Sequence, residues 1–516
     1  MYKALGVCFS VLLCSALVSC QNQTTERRQI SDLAKPNIII IYIDDLGYGD
    51  LGSYGAIGVR TPNVDKMANG GVRFTDAHSS AATCTPSRYS LLTGEYAFRN
   101  NARVLPGDAP ALIQPGKPTL PSMLQKVGYT TGVVGKWHLG LGDGNVDWND
   151  SVKPGPLEIG FDYSFLMPAT GDRVPTVYLE GHKVVDADSN DPIVVDYRNK
   201  VGERQTGQEN PDLLRYAADP GHSKTIVNGI SRIGYMGGGE KALWVDEEFP
   251  DVFTEKSVEF IRKNKDNPFF LFYSFHDIHV PRLPHPRFKG QSDMGWRGDA
   301  IVQMDWMTGQ IINELEVLGI ANETLIIFTS DNGPILNDGY EDGAVEKLGN
   351  HNPGGPYRGA KYSIYEAGTR VPTIAYWPGM IDSRVSGALI SQTDLYASLA
   401  AIQGHDLVAG EAVDSQNILP ALLGLTDKAR DTLFYEAVAA VALRKGNLKY
   451  IAPAPKGKKN PKFLARKGVE SGLSFEPQLY DLSVDPGETE NIAPENASKV
   501  KILQAELEKL MVAGIR

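Results

Sequence analysis

The stretch NIIIIYIDDLG, residues 37–47, places six consecutive apolar or aromatic residues directly before two aspartates. A continuous apolar run of this length, rich in isoleucine, predicts a strand that is buried on both faces of a sheet. Asp44 and Asp45 then stand at the carboxyl end of that strand. The stretch therefore predicts a sheet whose strand ends carry charged groups.

Three other segments repeat this design of a buried strand followed by polar side chains. They are YTTGVVGKWHLG at 129–140 with Lys136 and His138, PFFLFYSFHDIHVP at 268–281 with His276 and His279, and TLIIFTSDNG at 324–333 with Asp331 and Asn332. Patterns with helical periodicity, at 254–265 and 305–319, alternate with these strands. The alternation predicts an α/β fold with a large, mostly parallel sheet sandwiched by helices. Because such sheets bind ligands at the carboxyl ends of their strands, we expect the polar strand ends to share one pocket.

The pattern changes near residue 405. A hairpin with its turn at 445–447, a short strand and an amphipathic last helix ending near Gly514 predict a smaller α+β subdomain. The predicted organisation is a signal peptide at 1–20, a flexible tether at 21–35, the main α/β domain at 36–404, and the C-terminal subdomain with its antiparallel sheet at 405–516. One basic run, PAPKGKKNPKFLARKG at 453–468, is interpreted as a solvated loop, with a polyanion contact as the alternative.

Composition excludes some classes of function. The chain has 516 residues, of which 42% are hydrophobic and 22% are charged, and this is ordinary globular composition. Its formal net charge is −11, whereas a nucleic-acid binder is more often basic, so no nucleic-acid partner is expected. The acidity does not exclude an anionic substrate, because a local cationic pocket can outweigh the overall charge.

The N-terminus has the features of an export signal. Lys3, an apolar run and the tetrapeptide LVSC ending at Cys20 resemble a bacterial lipoprotein signal. This resemblance implies cleavage before Cys20 and membrane attachment through a lipid on that residue; a plain secretory signal is the alternative. Either signal sends the protein to the periplasm or cell surface of a bacterium. Because Gln21 is not acidic, we expect an outer-membrane lipoprotein.

Cys84 is the one cysteine outside this leader, so it has no partner for a disulfide or a zinc-thiolate site. Thr85 as N-cap, Pro86 in the first turn and Gly94 at the end predict a helix that starts just after Cys84. Cys84 then lies at the positive end of a helix dipole, with Arg88 one turn later on the same face. This arrangement suits a small anion with several oxygens, although a buried cysteine that acts as a small hydrophobe is the alternative.

The pentapeptide CTPSR, residues 84–88, followed by RYSLLTGEY, resembles the signature of the type I sulfatases in the alkaline-phosphatase-like superfamily. The resemblance continues in family order through residues 36–55, 128–140, 330–333 and 357–372. It implies hydrolysis of sulfate esters by a formylglycine (3-oxoalanine) that a separate maturation enzyme makes from Cys84. In that family, one hydroxyl of the hydrated aldehyde attacks sulfur, and the other drives the release of sulfate.

The resemblance also implies roles for individual residues. The acids and amide at the strand ends are hard oxygen ligands that suit Ca²⁺ or Mg²⁺ better than zinc, and in the family they bind one calcium. The implied metal ligands are Asp44, Asp45, Asp331 and Asn332, together with position 84. The implied catalytic residues are Cys84, Arg88, Lys136 and Lys361 at the sulfate, His138 beside the formylglycine, and His279 as proton donor to the leaving oxygen or as a sulfate ligand. His276 is interpreted as a packing residue or as a group that supports the site residues.

The substrate contacts are the least specific part of the prediction. Segments around 171–181, 221–238 and 295–299 resemble parts of bacterial arylsulfatase A-like polysaccharide sulfatases, so a sulfated polysaccharide or oligosaccharide is the expected substrate. The candidate sugar ligands are Asp172, Arg173, His182, His222, Arg232 and His351, and each has an alternative as a member of a loop salt bridge. Two other functions stay open: a phosphate or phosphonate ester hydrolase of the same superfamily, and a non-catalytic glycan-binding relic.

Overall fold

The central sheet brings the four predicted strands side by side. The computed structural model describes residues 35–513, and in this range one sheet has ten strands. The predicted signal peptide, nearly all of the tether, the lipidation site Cys20 and the helix-ending Gly514 lie outside the described residues. The prediction of a large, mostly parallel sheet with a smaller C-terminal subdomain is confirmed.

Within residues 35–513 the structure has twenty strands and ten α-helices. The strands are β1 Asn37–Ile43, β2 Val72–Phe74, β3 Ala77–His78, β4 Thr130–Lys136, β5 Tyr163–Met167, β6 Leu179–Glu180, β7 Lys183–Val184, β8 Val194–Asp196, β9 Ile226–Val227, β10 Ile230–Ser231, β11 Tyr235–Gly237, β12 Phe269–Ser274, β13 Thr324–Ser330, β14 Thr373–Tyr376, β15 Arg384–Ser386, β16 Ile390–Ser391, β17 Thr432–Glu436, β18 Val441–Lys445, β19 Leu448–Ile451 and β20 Gln478–Asp481. The helices are α1 Pro62–Gly70, α2 Cys84–Thr93, α3 Leu120–Lys126, α4 Phe249–Asn264, α5 Gly295–Val317, α6 Glu366–Thr369, α7 Leu395–Ile402, α8 Leu419–Leu422, α9 Lys462–Arg466 and α10 Ala497–Val512.

The order of the large sheet is β15-β2-β14-β13-β1-β12-β4-β5-β6-β7. The run from β13 to β5 is entirely parallel, whereas β14, β6 and β7 pair antiparallel with their inner neighbours. The strands β13, β1, β12 and β4 carry the four polar segments, so their carboxyl ends form one continuous edge. This adjacency gathers residues that lie far apart in the sequence.

Helices cover both faces of the sheet. Ile39, Ile41 and Ile43 on one face of β1 share a hydrophobic core with α1, α4 and α5. The hydroxyl of Tyr42, which points to the other face, donates a hydrogen bond to Gln392 at 2.8 Å, and α2, α3 and α7 contact one another. Every residue from Ile38 to Ile43 is 0% exposed, because both faces are covered.

The C-terminal subdomain is built on a second sheet. Strands β17 to β20 form an antiparallel sheet in sequence order, and its hairpin turn lies between β18 and β19 as the sequence indicates. Leu503, Leu507 and Leu510 of α10 pack on this sheet. Residues 35–513 nevertheless belong to one compact unit, and none of their helices has both the length and the apolarity to span a bilayer.

Helix α2 has its N-cap two residues earlier than the sequence predicts. Its N-cap is Thr83 rather than Thr85, and the N–H of Ser87 donates to the carbonyl of Thr83 at 3.2 Å. Thr85 is inside the first turn, where its hydroxyl donates to the carbonyl of His138 at 2.9 Å, so it is not free to cap. Gly94 ends the helix at a φ of 66°, as predicted.

Candidate active site

The strand ends and the start of α2 meet at one point. The thiol of Cys84 donates a hydrogen bond to Asp44 at 3.5 Å, and the N–H of Asp45 donates to Asp331 at 3.4 Å. The amide of Asn332 donates to Asp45 at 2.7 Å. The polar ends of β1 and β13 therefore lie together, as expected. Asp331 lies beside Asp45, and Asp44 lies beside Cys84.

Arg88 is a fully buried cation beneath this cluster. Its guanidinium contacts Asp331 at 3.0 Å through Nε and at 2.8 Å through Nη2, and it lies 3.6 Å from Asp44. Its Nη1 donates to the carbonyl of Lys136 and to the hydroxyl of Ser274. With 0% exposure and these partners, Arg88 fixes the positions of two carboxylates from below rather than facing the open pocket.

Two lysines lie on either side of Cys84. Lys136, at the end of β4, forms an ion pair with Asp44. Lys361 contacts Asp45 at 2.9 Å and Asp338 at 3.0 Å. Burial alone would lower the pKa of Lys361, but Asp338 and Asp45 raise it well above its ordinary value, so this ammonium stays charged. The site thus combines two localised cations with buried acids, which suits a small tetrahedral anion.

The acids offer a site for a cation. Ligand atoms of Asp44, Asp45, Cys84 and His279 all lie within 4.8 Å of one another. The Oδ1 atom of Asn332 is buried and has no hydrogen-bond partner among residues 35–513, so a polar acceptor is left unsatisfied at this point. Burial raises the pKa of Asp45 to about 7, with Lys361 opposing the shift and Asp44 adding to it. This donor set, mostly oxygen, fits a hard divalent cation.

The thiol of Cys84 is protected from solvent. Cys84 is 2% exposed, and every residue of α2 is buried. Burial raises the pKa of the thiol well above its ordinary value, and Asp331 and Asp44 add to the increase. The unmodified thiol is therefore neutral at physiological pH, which is the wrong protonation state for a nucleophile.

His138 is held in one tautomer. Its Nε2 contacts the carbonyl of Leu105 at 3.0 Å, and because a carbonyl only accepts, this nitrogen carries the proton. The Nδ1 atom has no partner among the described residues and is free to accept a proton. Burial lowers the pKa of His138 well below its ordinary value, and Arg173 and Lys136 lower it further, so the ring is neutral.

His279 has the opposite arrangement. Its Nδ1 donates to the carbonyl of Val280 at 2.5 Å, which leaves Nε2 facing Asp45 at 3.8 Å and Asp338 at 3.9 Å. His276 is buried against Phe249 with their ring centroids 5.5 Å apart, and neither of its nitrogens has a partner in residues 35–513. The structure places His279 at the site and the ring of His276 5.7 Å from it, and the role of His276 stays a prediction.

A pocket of about 160 Å³, hereafter the Cys84 pocket, opens above the thiol. Its lining consists of Cys84, Val104, His138, Asp172, Arg173, His222, Ile233, His279, Asp338, Lys361, Tyr362 and Lys467. Three of the six predicted sugar ligands, Asp172, Arg173 and His222, are therefore brought to the site. Sequence reasoning missed Asp338, Tyr362 and Lys467; the signal for Lys467 was the basic run at 453–468, which we expected to be solvated throughout.

The other three predicted sugar ligands are not part of this lining. Arg232 is fully buried and pairs with Asp246 at 2.7 Å. His351 contacts Asp50 at 2.8 Å, and His182 contacts Glu158 at 2.8 Å. Each side chain is thus engaged with a carboxylate of the protein itself, as in the alternative given for these residues, and their contact with the sugar stays a prediction.

Two acids surround His222 in the wall of the pocket. The Nδ1 atom lies 2.7 Å from Asp219, Nε2 lies 3.4 Å from Asp172, and the ring packs on Tyr340 at 4.9 Å. Burial alone would lower the pKa of His222, but the contacts with Asp172 and Asp219 raise it above 6.5. The pKa of Asp172 is well below its ordinary value, because Arg173 and His222 outweigh its burial.

We expect the stability contributed by His222 to depend on pH. The folded state binds this proton more tightly than the unfolded chain, so the stabilisation is complete below the unfolded pKa of 6.5 and disappears as pH rises through the raised folded value. Urea unfolding of the wild type and of His222→Asn between pH 6 and pH 9 measures the effect. The difference in unfolding free energy should shrink with increasing pH, and a difference that is constant or grows would contradict this assignment.

A second group of acids and a histidine lies outside the pocket. Ligand atoms of Asp76, His78 and Glu366 are also within 4.8 Å of one another. Arg370 pairs with Glu366 at 2.9 Å, and Lys449 of β19 pairs with the same carboxylate at 3.0 Å. We call these five residues and Arg444 the charged seam. Cations of the protein pair with its acids, so this group joins the C-terminal sheet to α6 and to the residues that follow β2.

Comparisons with known proteins agree with this geometry. A family model described as Sulfatase matches residues 36–405. An N-acetylgalactosamine-6-O-sulfatase from Bacteroides thetaiotaomicron is 47% identical over 498 residues, which cover 96% of this chain and 97% of the relative. A steryl-sulfatase from Rattus norvegicus is 31% identical, with 89% of this chain and 85% of the relative covered. A solved structure described under the metabolism of multiple glycosaminoglycans by Bacteroides thetaiotaomicron has a TM-score of 0.90 at 47% identity, covering 93% of this chain and 99% of the other.

Proposed function

Because this chain belongs to the sulfatase family, and is accordingly a sulfuric ester hydrolase, we propose that it removes the 6-O-sulfate from an N-acetylgalactosamine residue of a sulfated glycan. The observation that carries the proposal is the near full-length similarity to the Bacteroides thetaiotaomicron N-acetylgalactosamine-6-O-sulfatase. The Cys84 pocket is smaller than the roughly 300–1,000 Å³ typical of drug-sized ligands, which favours a single sugar unit at the reacting position.

We propose that one calcium ion is held by Asp44, Asp45, Asp331 and Asn332 together with position 84. When bound, calcium supplies positive charge that polarises the sulfate group. Lys136 and Lys361 would contact sulfate oxygens, and these contacts would strengthen as negative charge accumulates during displacement. Arg88 would hold Asp44 and Asp331 in place beneath the ion.

We propose that a maturation enzyme converts Cys84 to formylglycine. The hydrated aldehyde supplies a hydroxyl nucleophile and a second hydroxyl that permits sulfate release. The free Nδ1 of His138 is arranged to accept a proton beside position 84, and Nε2 of His279 faces the same space on the other side. Nε2 of His279 carries no proton in this tautomer, so it would take one from solvent before His279 protonates the departing sugar oxygen.

Asp172, Arg173 and His222 would bind the sugar. Arg173 contacts Asp172 at 3.1 Å, and Asp172 in turn faces His222, so the three side chains form one charged row in the pocket wall. A carboxylate and an imidazolium in such a row are paired acceptor and donor for neighbouring sugar hydroxyls. The row would thus distinguish N-acetylgalactosamine from sugars that differ in the configuration of a ring hydroxyl.

The test is a comparison of matched esters, using protein whose Cys84 has been matured and verified by mass spectrometry. N-acetylgalactosamine-6-sulfate should be hydrolysed with a higher kcat/KM than its 4-sulfate, N-acetylglucosamine-6-sulfate or N-acetylgalactosamine-6-phosphate. Asp172→Asn should reduce kcat/KM by about 10- to 100-fold, the loss expected for a charged hydrogen bond. Asp219→Asn is the matched control, because Asp219 also contacts His222 but does not line the pocket.

The alternatives make different predictions in the same assay. A faster reaction with the phosphate ester would favour the phosphate or phosphonate hydrolase. Matured protein that hydrolyses no sulfate ester would favour the glycan-binding relic. A preference for another sulfated sugar would leave the sulfatase activity in place and reject only the proposed sugar.

We also propose that the protein works outside the cytoplasm. The lipoprotein-like leader ending at Cys20 supports export and membrane attachment, and sulfated polymers are met there. Labelling with a radioactive fatty acid, followed by cell fractionation, tests the anchor. A Cys20→Ala protein should remain unlabelled and leave the membrane fraction.

A further inference from the structure

A larger groove adjoins the Cys84 pocket. This side groove has a volume of about 740 Å³ and shares Val104 and Tyr362 with the pocket, so the two spaces are contiguous. Its walls come from the segment after α2, from the β17–β18 turn and from residues after β19. None of the residues assigned above to the sulfate or the metal lines the side groove.

One wall belongs to the basic loop, residues 453–468. This loop has six Lys or Arg and no acid, in a chain whose net charge is −11. Lys458 and Phe463 line the side groove, whereas Lys467 lines the Cys84 pocket and pairs there with Asp338. The ring of Phe463 also lies 5.3 Å from that of Tyr362, next to Lys361. The loop therefore extends from the groove to the catalytic site.

Most of the loop's charge has no partner in the protein. Lys456, Lys458, Lys459, Lys462 and Arg466 are exposed. None of these five side chains forms an ion pair with a residue of 35–513, in contrast to Lys467. Arg103, on the opposite wall of the groove, is also exposed and unpaired in the same range. Clustered cations without counterions create a local positive potential that attracts an anionic ligand.

The groove also has apolar surface and one acid. Phe98 and Phe463 both line it, and aromatic surfaces of this kind pack against the C–H faces of sugar rings. Glu436 lies in the floor, where it accepts a hydrogen bond from the N–H of Phe98 at 3.1 Å. Burial raises the pKa of Glu436 to about 7, so it opposes the cations with less than a full charge near neutral pH.

We propose that the side groove and the basic loop form a second glycan-binding site, which holds a negatively charged sugar residue next to the one that carries the reacting sulfate. The ligand class is an acidic oligosaccharide bearing carboxylate or further sulfate groups. This inference rests on the proposed function for the reacting sugar, but the binding of the acidic neighbour is tested without turnover.

The first test measures binding with protein whose Cys84 is unmodified. The probe is an unsulfated tetrasaccharide of alternating glucuronate and N-acetylgalactosamine, compared with its carboxyl-reduced form. The wild type should bind the acidic form more tightly, and added salt should weaken that binding. The triple variant Lys456→Gln, Lys458→Gln, Lys459→Gln should bind it about tenfold more weakly, since Lys458 lines the groove and all three exposed charges add to the local positive potential. Arg103→Gln should weaken binding from the other wall.

The matched control removes three other exposed lysines. Lys289→Gln, Lys499→Gln, Lys501→Gln changes the net charge equally, and these lysines also form no ion pair with described residues. It should bind like the wild type. Equal affinities for the loop variant and the control, or no binding of the acidic tetrasaccharide by the wild type, would overturn the proposal.

A second measurement separates this inference from the proposed function. With matured protein, the loop variant should lose about tenfold in kcat/KM for a 6-sulfated acidic trisaccharide and keep its rate on N-acetylgalactosamine-6-sulfate. An equal loss on both substrates would overturn the second site. If the wild type does not hydrolyse the monosaccharide sulfate ester, only the proposed sugar is rejected, because the binding experiment does not depend on turnover.

Discussion

Replacing Cys84 by alanine is expected to reduce sulfate ester hydrolysis by about 10⁶-fold, the scale seen when a catalytic nucleophile is removed. Among residues 35–513 the thiol donates to Asp44 alone, and alanine keeps the Cβ of this buried position, so the substitution removes one sulfur atom from the packing. Alanine also favours the first turn of α2. The variant should therefore keep its circular dichroism spectrum and thermal midpoint while losing turnover, as measured by sulfate release.

Cys84→Ser is the informative companion. An unmodified serine hydroxyl offers one oxygen and no second hydroxyl, so it is expected to release at most one equivalent of alcohol and to retain sulfate on the protein. Intact-protein mass spectrometry would detect the added sulfate group and would verify that the serine has not been oxidised to the aldehyde. Continuous turnover by Cys84→Ala, or by Cys84→Ser protein with an unoxidised serine, would refute position 84 as the nucleophile.

Replacing Asp331 by alanine should affect both stability and the response to calcium. Arg88 would lose its closest carboxylate in a fully buried position, and an uncompensated buried charge costs about 3–5 kcal/mol. The wild type should gain thermal stability on addition of calcium and lose activity on chelation, because the bound ion stabilises only the folded state. Asp331→Ala should show no calcium-dependent rise in its thermal midpoint.

The matched control is Asp394→Ala. Asp394 and Arg430 form another ion pair with 0% exposure on both sides, but Asp394 is not a proposed metal ligand. This variant should be destabilised to a similar extent and still respond to calcium. If Asp331→Ala responds to calcium as the control does, the metal assignment is wrong.

The sequence was most informative where a local residue pattern was enough to predict which segments lie side by side. Buried apolar runs fix both the strands and the end at which polar side chains emerge, so β1, β4, β12 and β13 could be predicted with their shared edge. The resemblance around Cys84 added the sulfatase family, which the comparisons confirm. Individual roles of the site residues stay predictions.

The sequence was least informative about which charges were already paired. Arg232 and Arg173 follow similar loop patterns, yet Arg232 pairs with Asp246, fourteen residues later in the chain, while Arg173 lines the pocket. Asp338 and Lys467 form an ion pair across more than a hundred residues, and no local pattern indicates such a pair. The N-cap of α2 differs from the prediction for the same reason. The hydroxyl of Thr85 donates a hydrogen bond to the carbonyl of His138, which is distant in the sequence.

The charged seam has a consequence for anyone who wishes to build chimaeras from this enzyme and its relatives. Asp76 lies between β2 and β3 and Glu366 opens α6, whereas Arg444 and Lys449 come from the C-terminal strands. Grafting a foreign C-terminal sheet would remove Arg444 from Asp76 and Lys449 from Glu366, so that Arg370 would be left to neutralise both carboxylates. It would also remove part of the apolar cluster around Ile364. A stable chimaera must therefore take both sides of the charged seam from the same parent protein. The two parts are expected to be inherited as a unit.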